Sequence, residues 1–189
     1  MSTESAATLG LALHPWNAIH VTNNPLHNRL RYLRNAEAFA ALALPAVLIW
    51  HWLQSGLPVD WALRLPPTLL VGVMLLQGAG YWHLKLESVR TRRALPSYFR
   101  PLYRALRLAD LLALMAVVIA CGLISQRGAA MADLAWAGVL LVFAVLEYIN
   151  YFGVQLTHDN RADLQYLLRH RRLRRAALAT DLSRDSEAI

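Results

Sequence analysis

Apolar residues gather in four blocks along the chain: Ala36 to Leu53, Leu65 to about His83, Leu108 to Ile124, and Leu134 to about Leu156. At about 1.5 Å of rise per residue, about 17–23 helical residues cross a hydrocarbon core of about 30 Å. None of the blocks carries the single apolar stripe of a helix lying on a soluble core; each is greasy around its whole circumference. The pattern predicts an all-α protein, a polytopic integral membrane four-helix bundle. Four buried helices of a soluble bundle would need a polar face that these blocks lack.

Composition points the same way. Of 189 residues, 57% are hydrophobic and 16% charged, against about 45–50% and 25% in a soluble domain. That excess argues against a soluble enzyme, a disordered chain or a disulfide-stapled secreted domain. The single cysteine, Cys121, excludes an intramolecular disulfide, and no Cys/His spacing resembles a zinc site. The first 35 residues hold no signal-peptide apolar stretch, so the first block is expected to remain in the protein.

Basic residues order the threading. Seventeen of the 19 lie in an N-terminal arm (1–35), a middle loop (85–107) and a basic tail (157–189), against Arg64 and Arg127 in the two remaining loops. The positive-inside bias predicts both termini and the middle loop in the cytoplasm, with 36–156 as the transmembrane domain. The net charge of +7 is accounted for by this topology, and the tail has only Tyr166 between its arginines, so no nucleic acid is expected. Arg169, Arg171, Arg172, Arg174 and Arg175 are candidates for contact with anionic lipid headgroups of the bilayer. The 18:1 ratio of arginine to lysine suggests a bacterial origin and hence a plasma (inner) membrane.

The two hairpins look duplicated. Residues 31–43 (RYLRNAEAFAALA) match 104–116 (RALRLADLLALMA) at both arginines, one leucine and three alanines, and Glu37 falls opposite Asp110. With an outer loop three residues shorter, Gln77 meets Glu147, Tyr81 meets Tyr151 and Leu86 meets Leu156. Hairpins starting on the same side would be related by an axis along the membrane normal.

Ionisable groups inside hydrocarbon cost about 2.5–3.5 kcal/mol each on insertion scales. Glu147 lies about 14 residues beyond Asp133, with Asn150, Tyr151 and His158 following on one helical stripe. Gln77, Tyr81 and Lys85 make a similar stripe on the second block. Glu37 and Asp110 sit near the starts of the first and third. The functional reading is a polar chamber in the inner half of the bundle, built from Glu147, Asn150, Tyr151, Gln77, Tyr81, Glu37 and Asp110, in which a carboxyl could take up and release protons. The alternative is that these groups lock the helices in register; Glu37 and Asp110 also suit helix starts and nearby arginines.

Other polar and aromatic positions have plainer roles. Glu87 is placed to pair with His83. Tyr81, Trp82, Tyr148, Tyr151 and Phe152 suit an inner aromatic belt, and Trp50, His51, Trp52 and Trp61 an outer one. Pro45 should kink the first helix or loosen its bonding near residue 41.

Catalytic patterns are not evident. An E-x-x-H di-iron pair is missing, since Asn150 follows Glu147 and Arg90 follows Glu87 at three residues. His51 and His83 sit at opposite ends, unsuited to haem, and Cys121 reads as packing. His14, His20 and His27 lack acidic or thiol partners, so neither a metal nor a cofactor is expected. Residues 159–177 read as a basic helix, and 179–189 as a frayed polar end. The expected function is a non-enzymatic membrane protein acting as a homo-oligomer or as an accessory subunit. A small proton-linked transporter or channel using Glu147 is the alternative; a membrane enzyme or redox protein is the third.

Overall fold

A computed structural model describes residues 25–156, 169 and 173–183. Among these residues it is all-helical: α1 (Pro25–Gln54), α2 (Trp61–Thr91), α3 (Phe99–Ser125), α4 (Met131–Phe152) and a short α5 (Ala177–Ser183). The first four are long and apolar enough to cross a membrane. Their polar ends extend beyond the apolar blocks, so the middle connection shrinks to residues 92–98 rather than 85–107.

α2 is the central helix. It packs antiparallel along α1, which brings Gly72 against Ala41 and Pro45, and it also packs on α3 and α4. Of its apolar window 56% is buried, against 11%, 17% and 22% for α1, α3 and α4. The remainder of those three helices presents large apolar side chains outward, among them Phe39, Leu42, Met115 and Val142. Small residues let neighbours approach α2; a Cβ on Gly78 would collide with Glu37 and Tyr151.

Prolines inside these helices leave carbonyls without an intrahelical donor, and at Pro45 and Pro67 a neighbouring helix packs against the freed oxygen. α1 runs unbroken through Pro45, and the Ala41 carbonyl that Pro45 cannot serve faces Gly72. In α2, Pro67 cannot donate to the Leu63 carbonyl; the Cys121 thiol of α3 approaches that oxygen at 3.9 Å. Cys121 thus fills space and also offers a weak donor.

The helix ends are closed locally. The Asp60 carboxylate accepts from the Ala62 amide at 3.0 Å, capping α2. Arg92 ends α2 in the left-handed region at φ 54°, its amide donating to the Ser88 carbonyl. Beyond α4, the Leu156 amide donates to Asn150 Oδ1 at 3.0 Å.

α1 and α3 begin, and α2 and α4 finish, at one end of the molecule, the basic end. The other end holds a tryptophan cluster: Trp52 packs edge-on against Trp61 and Trp136. Arg64, assigned above to an outer loop, lies instead in α2 with its side chain 5% exposed. Its Nε donates to Asp133 Oδ1 at 2.6 Å, and its guanidinium lies 5.2 Å from the centre of the Trp52 ring. Asp133 Oδ1 also accepts from the Asp60 amide at 3.2 Å, tying the α1–α2 connection to α4. Trp52, expected in an exposed belt, is 1% exposed because it supports this pair, whereas Trp50 points outward.

Residues 179–183, expected to be frayed, belong to α5, whose Leu178, Ala179 and Asp181 are buried. A short antiparallel pairing holds the segment before it: the Gln155 amide donates to the Arg174 carbonyl at 2.8 Å, and the Ala176 amide to the Gly153 carbonyl at 3.1 Å. Residues 173–176 are therefore extended, not part of a basic helix; most of 159–172 lies outside the described residues.

Candidate ligand chamber at the basic end

A cavity of about 570 Å³ opens at the basic end between α1, α2, the end of α4 and the 174–181 segment. Four of the seven predicted chamber residues line it: Glu37, Tyr81, Asn150 and Tyr151. They are joined by Arg29, Lys85, Gln155, Arg174, Arg175, Thr180 and Asp181, and by an apolar wall that includes Leu26, Leu30 and Leu33. The lining thus combines two carboxylates, Glu37 and Asp181, with four cationic side chains, Arg29, Lys85, Arg174 and Arg175.

Each polar group is held by a specific neighbour. Glu37 lies 12 residues inside α1, deeper than a helix start, and its Oε1 accepts from the Trp82 indole at 2.8 Å. Its Oε2 and the Tyr151 hydroxyl are buried together over Gly78, and neither completes a hydrogen bond of ordinary geometry. Glu147 lies within electrostatic reach of Glu37, Asn150 and Tyr151, though outside the cavity lining. Burying carboxyl groups this close together costs solvation energy that only polar neighbours can offset.

The cavity mouth is shaped by Asp181. Its Oδ2 accepts from the Tyr81 hydroxyl at 2.8 Å and from Lys85 Nζ at 2.6 Å. Tyr81 is 1% exposed and packs on Trp82, Phe99 and Tyr103. It is a core residue with a polar tip, not part of a surface belt.

Gln77 and Asp110 stand apart from the chamber. The Gln77 side-chain amide donates to Asp110 Oδ1 at 2.8 Å, while the Gln77 main-chain carbonyl accepts from the Tyr103 hydroxyl at 3.0 Å. They join α2 to α3. The expected arginine partners are not used: Asp110 takes Gln77, Glu37 takes Trp82, and Arg34 donates to Asn35. Glu87 approaches Arg90 at 3.7 Å rather than His83.

Among the headgroup candidates, Arg174 and Arg175 line the cavity mouth and Arg169 is exposed; Arg171 and Arg172 lie outside the described residues. His14 and His20 do as well. Among the described residues no three His, Cys, Asp or Glu side chains gather to hold a metal ion.

Sequence reasoning missed Asp181, Arg64 and Asp133. Asp181 is 100 residues from Tyr81, and Asp133 is 69 from Arg64, so no local spacing marks either contact. A signal for the second did exist: a lone arginine and a lone aspartate just before two apolar blocks, each needing a partner. Compared with known proteins, the chain matches no protein-family profile, no curated protein and no solved structure.

Proposed function

We propose that this chain is an integral protein of a plasma membrane, with four spans and both termini cytoplasmic. It works by binding a ligand in the chamber at its cytoplasmic end, as a homo-oligomer or as an accessory subunit. The open cavity of about 570 Å³, walled by three long helices and roofed by the 174–181 segment, carries this reading. A pocket of about 300–1,000 Å³ with an apolar wall and a few convergent polar groups is the usual form of a small-molecule site. The exposed apolar side chains of α1, including Phe39 and Leu42, would face lipid or a neighbouring subunit.

The basic end is the cytoplasmic one in this reading, because it holds the arginines. Duplication of the hairpins is supported by equivalent polar meetings: Gln77 bonds Asp110 between α2 and α3, and their repeat counterparts Glu147 and Glu37 lie within reach of each other.

Native mass spectrometry of the detergent-extracted protein tests the binding reading. A bound small molecule, lost when Ala177→Trp fills the cavity, is the expected result; a chamber that retains nothing in either protein would refute it. Thiol labelling of Ser97→Cys and Gln126→Cys, in a Cys121→Ala background, tests orientation. Ser97→Cys should react only from the cytoplasm and Gln126→Cys only from outside.

Glu37 and Tyr151 in the chamber lining, with Glu147 within electrostatic reach of both, favour a second reading, proton-linked transport. It requires that Glu37→Gln and Glu147→Gln abolish pH-driven flux in liposomes, and flux that persists in both variants would eliminate it.

A further inference from the structure

We infer that the outward face of α3 binds an anionic phospholipid of the cytoplasmic leaflet. Arg104 and Arg107 hold its phosphate, and an acyl chain lies along Leu108, Leu111 and Met115. The step rests on the membrane topology proposed above and not on the chamber. Of the four long helices, α3 divides most sharply into two faces. Its buried residues, Phe99, Tyr103, Asp110 and Cys121, share one side. At about 100° per residue, Arg104, Leu108, Leu111 and Met115 fall within about 60° of one another on a different side, with Arg107 flanking them. All five are exposed, the three apolar ones by 57%, 39% and 53%.

The charges on this face are available. Neither Arg104 nor Arg107 has a hydrogen-bond or ion-pair partner among the described residues. Side chains three apart on a helix are neighbours, so two planar guanidiniums can share one phosphodiester. The acidic residue of α3, Asp110, is buried and taken by Gln77; no carboxylate of this helix opposes an anion on the outward face. The repeat counterpart of Arg107 differs: Arg34 donates to Asn35 Oδ1 at 3.0 and 2.8 Å. α1 therefore lacks the same free pair.

The apolar strip has the length of one leaflet. From Leu108 to Ile119, itself 58% exposed, eleven helical rises span about 16 Å, against about 15 Å for half of a hydrocarbon core. An acidic partner protein would match the arginines but has no need of a strip that begins one residue below them. A phospholipid presents an anion and a hydrocarbon chain at that spacing.

The experiment uses the full chain in phosphatidylcholine vesicles doped with phosphatidylglycerol that carries a diazirine on one acyl chain. After irradiation, label should gather on residues 108–115 rather than on Phe39 and Leu42 of α1, although those are 73% and 74% exposed. Diazirine-tailed phosphatidylcholine should show no such preference. In neutral detergent, R104Q/R107Q should lose about 30-fold in phosphatidylglycerol affinity, read by native mass spectrometry. R92Q/R93Q removes two exposed arginines from the 92–98 connection and should lose less than about threefold.

Equal labelling of α1 and α3, one pattern from both lipids, or equal losses in the two double variants would overturn the site. Label gathered on Leu26 and Leu30 would place the lipid in the chamber and overturn the α3 site alone. A chain that takes label in no helix would overturn the site and the membrane reading together, so the two failures are told apart.

Discussion

Asp133→Ala gives the sharpest test of the packing described here. In the native protein Asp133 Oδ1 takes the Arg64 Nε at 2.6 Å and the Asp60 amide at 3.2 Å, and both charged side chains are 5% exposed. Removing the carboxylate leaves a guanidinium buried without its counter-charge and a main-chain N–H without its acceptor. Breaking a buried pair from one side costs about 3–5 kcal/mol. The Trp52 ring, 5.2 Å from the guanidinium, offsets about 0.5–2 kcal/mol of attraction at most, and it is present in both proteins. Replacing both partners with apolar groups of similar shape, Arg64→Met with Asp133→Leu, removes the orphaned charge and should fall within about 1–2 kcal/mol of the native protein. Equilibrium unfolding in mixed micelles, run on the native protein, both singles and the double, provides the cycle. A single variant losing less than about 1 kcal/mol, or a double variant no better than Asp133→Ala, would refute the claim that this pair is a buried, mutually dependent lock.

Three further outcomes are expected. Gly78→Ala should cost about 1–3 kcal/mol, because its Cβ would run into Glu37 and Tyr151, whereas Gly122→Ala, with nothing near its Cβ, should be neutral or gain up to about 1 kcal/mol; melting curves in one detergent compare them. Asp181→Ala should leave the four long helices intact and speed hydrogen exchange in Ala177–Ser183, since Tyr81 and Lys85 lose their shared acceptor; unchanged exchange there would show that the segment is held by Leu178 and Ala179 alone. Trp82→Phe removes the donor to Glu37 Oε1 and should cost about 1–3 kcal/mol in the same unfolding assay.

The four long helices were legible because continuous apolar runs of membrane-crossing length have few other solutions. Their limits were less so: α2 runs from Trp61 to Thr91, eight residues beyond His83, since polar residues such as Glu87 and Arg90 continue a helix without adding to an apolar count. Tyr81 and Trp52 show a second difficulty. Aromatics near the ends of an apolar run serve equally as belt or core, and which one depends on a neighbour distant in sequence, Asp181 for the first and Arg64 for the second. Within the predicted chamber, Glu37, Tyr81, Asn150 and Tyr151 do share one cavity. Gln77 and Asp110 satisfy each other instead, a pairing between α2 and α3 that depends on the relative rotation of two helices. Helical periodicity constrains the face within one helix and leaves that rotation open.

The bonds from Tyr81 and Lys85 to Asp181 also impose an order of events on biosynthesis. Asp181 is made 100 and 96 residues after its two donors, an interval of about 5–20 s at ordinary elongation rates of about 5–20 residues per second. Throughout that time α2, the most buried of the helices, has to tolerate an ammonium and a phenol whose acceptor does not yet exist. The nascent α1–α2 hairpin is therefore a passing species in which Tyr81 and Lys85 stand without Asp181, and the contact that joins α5 to α2 can form only after the four long helices have been made.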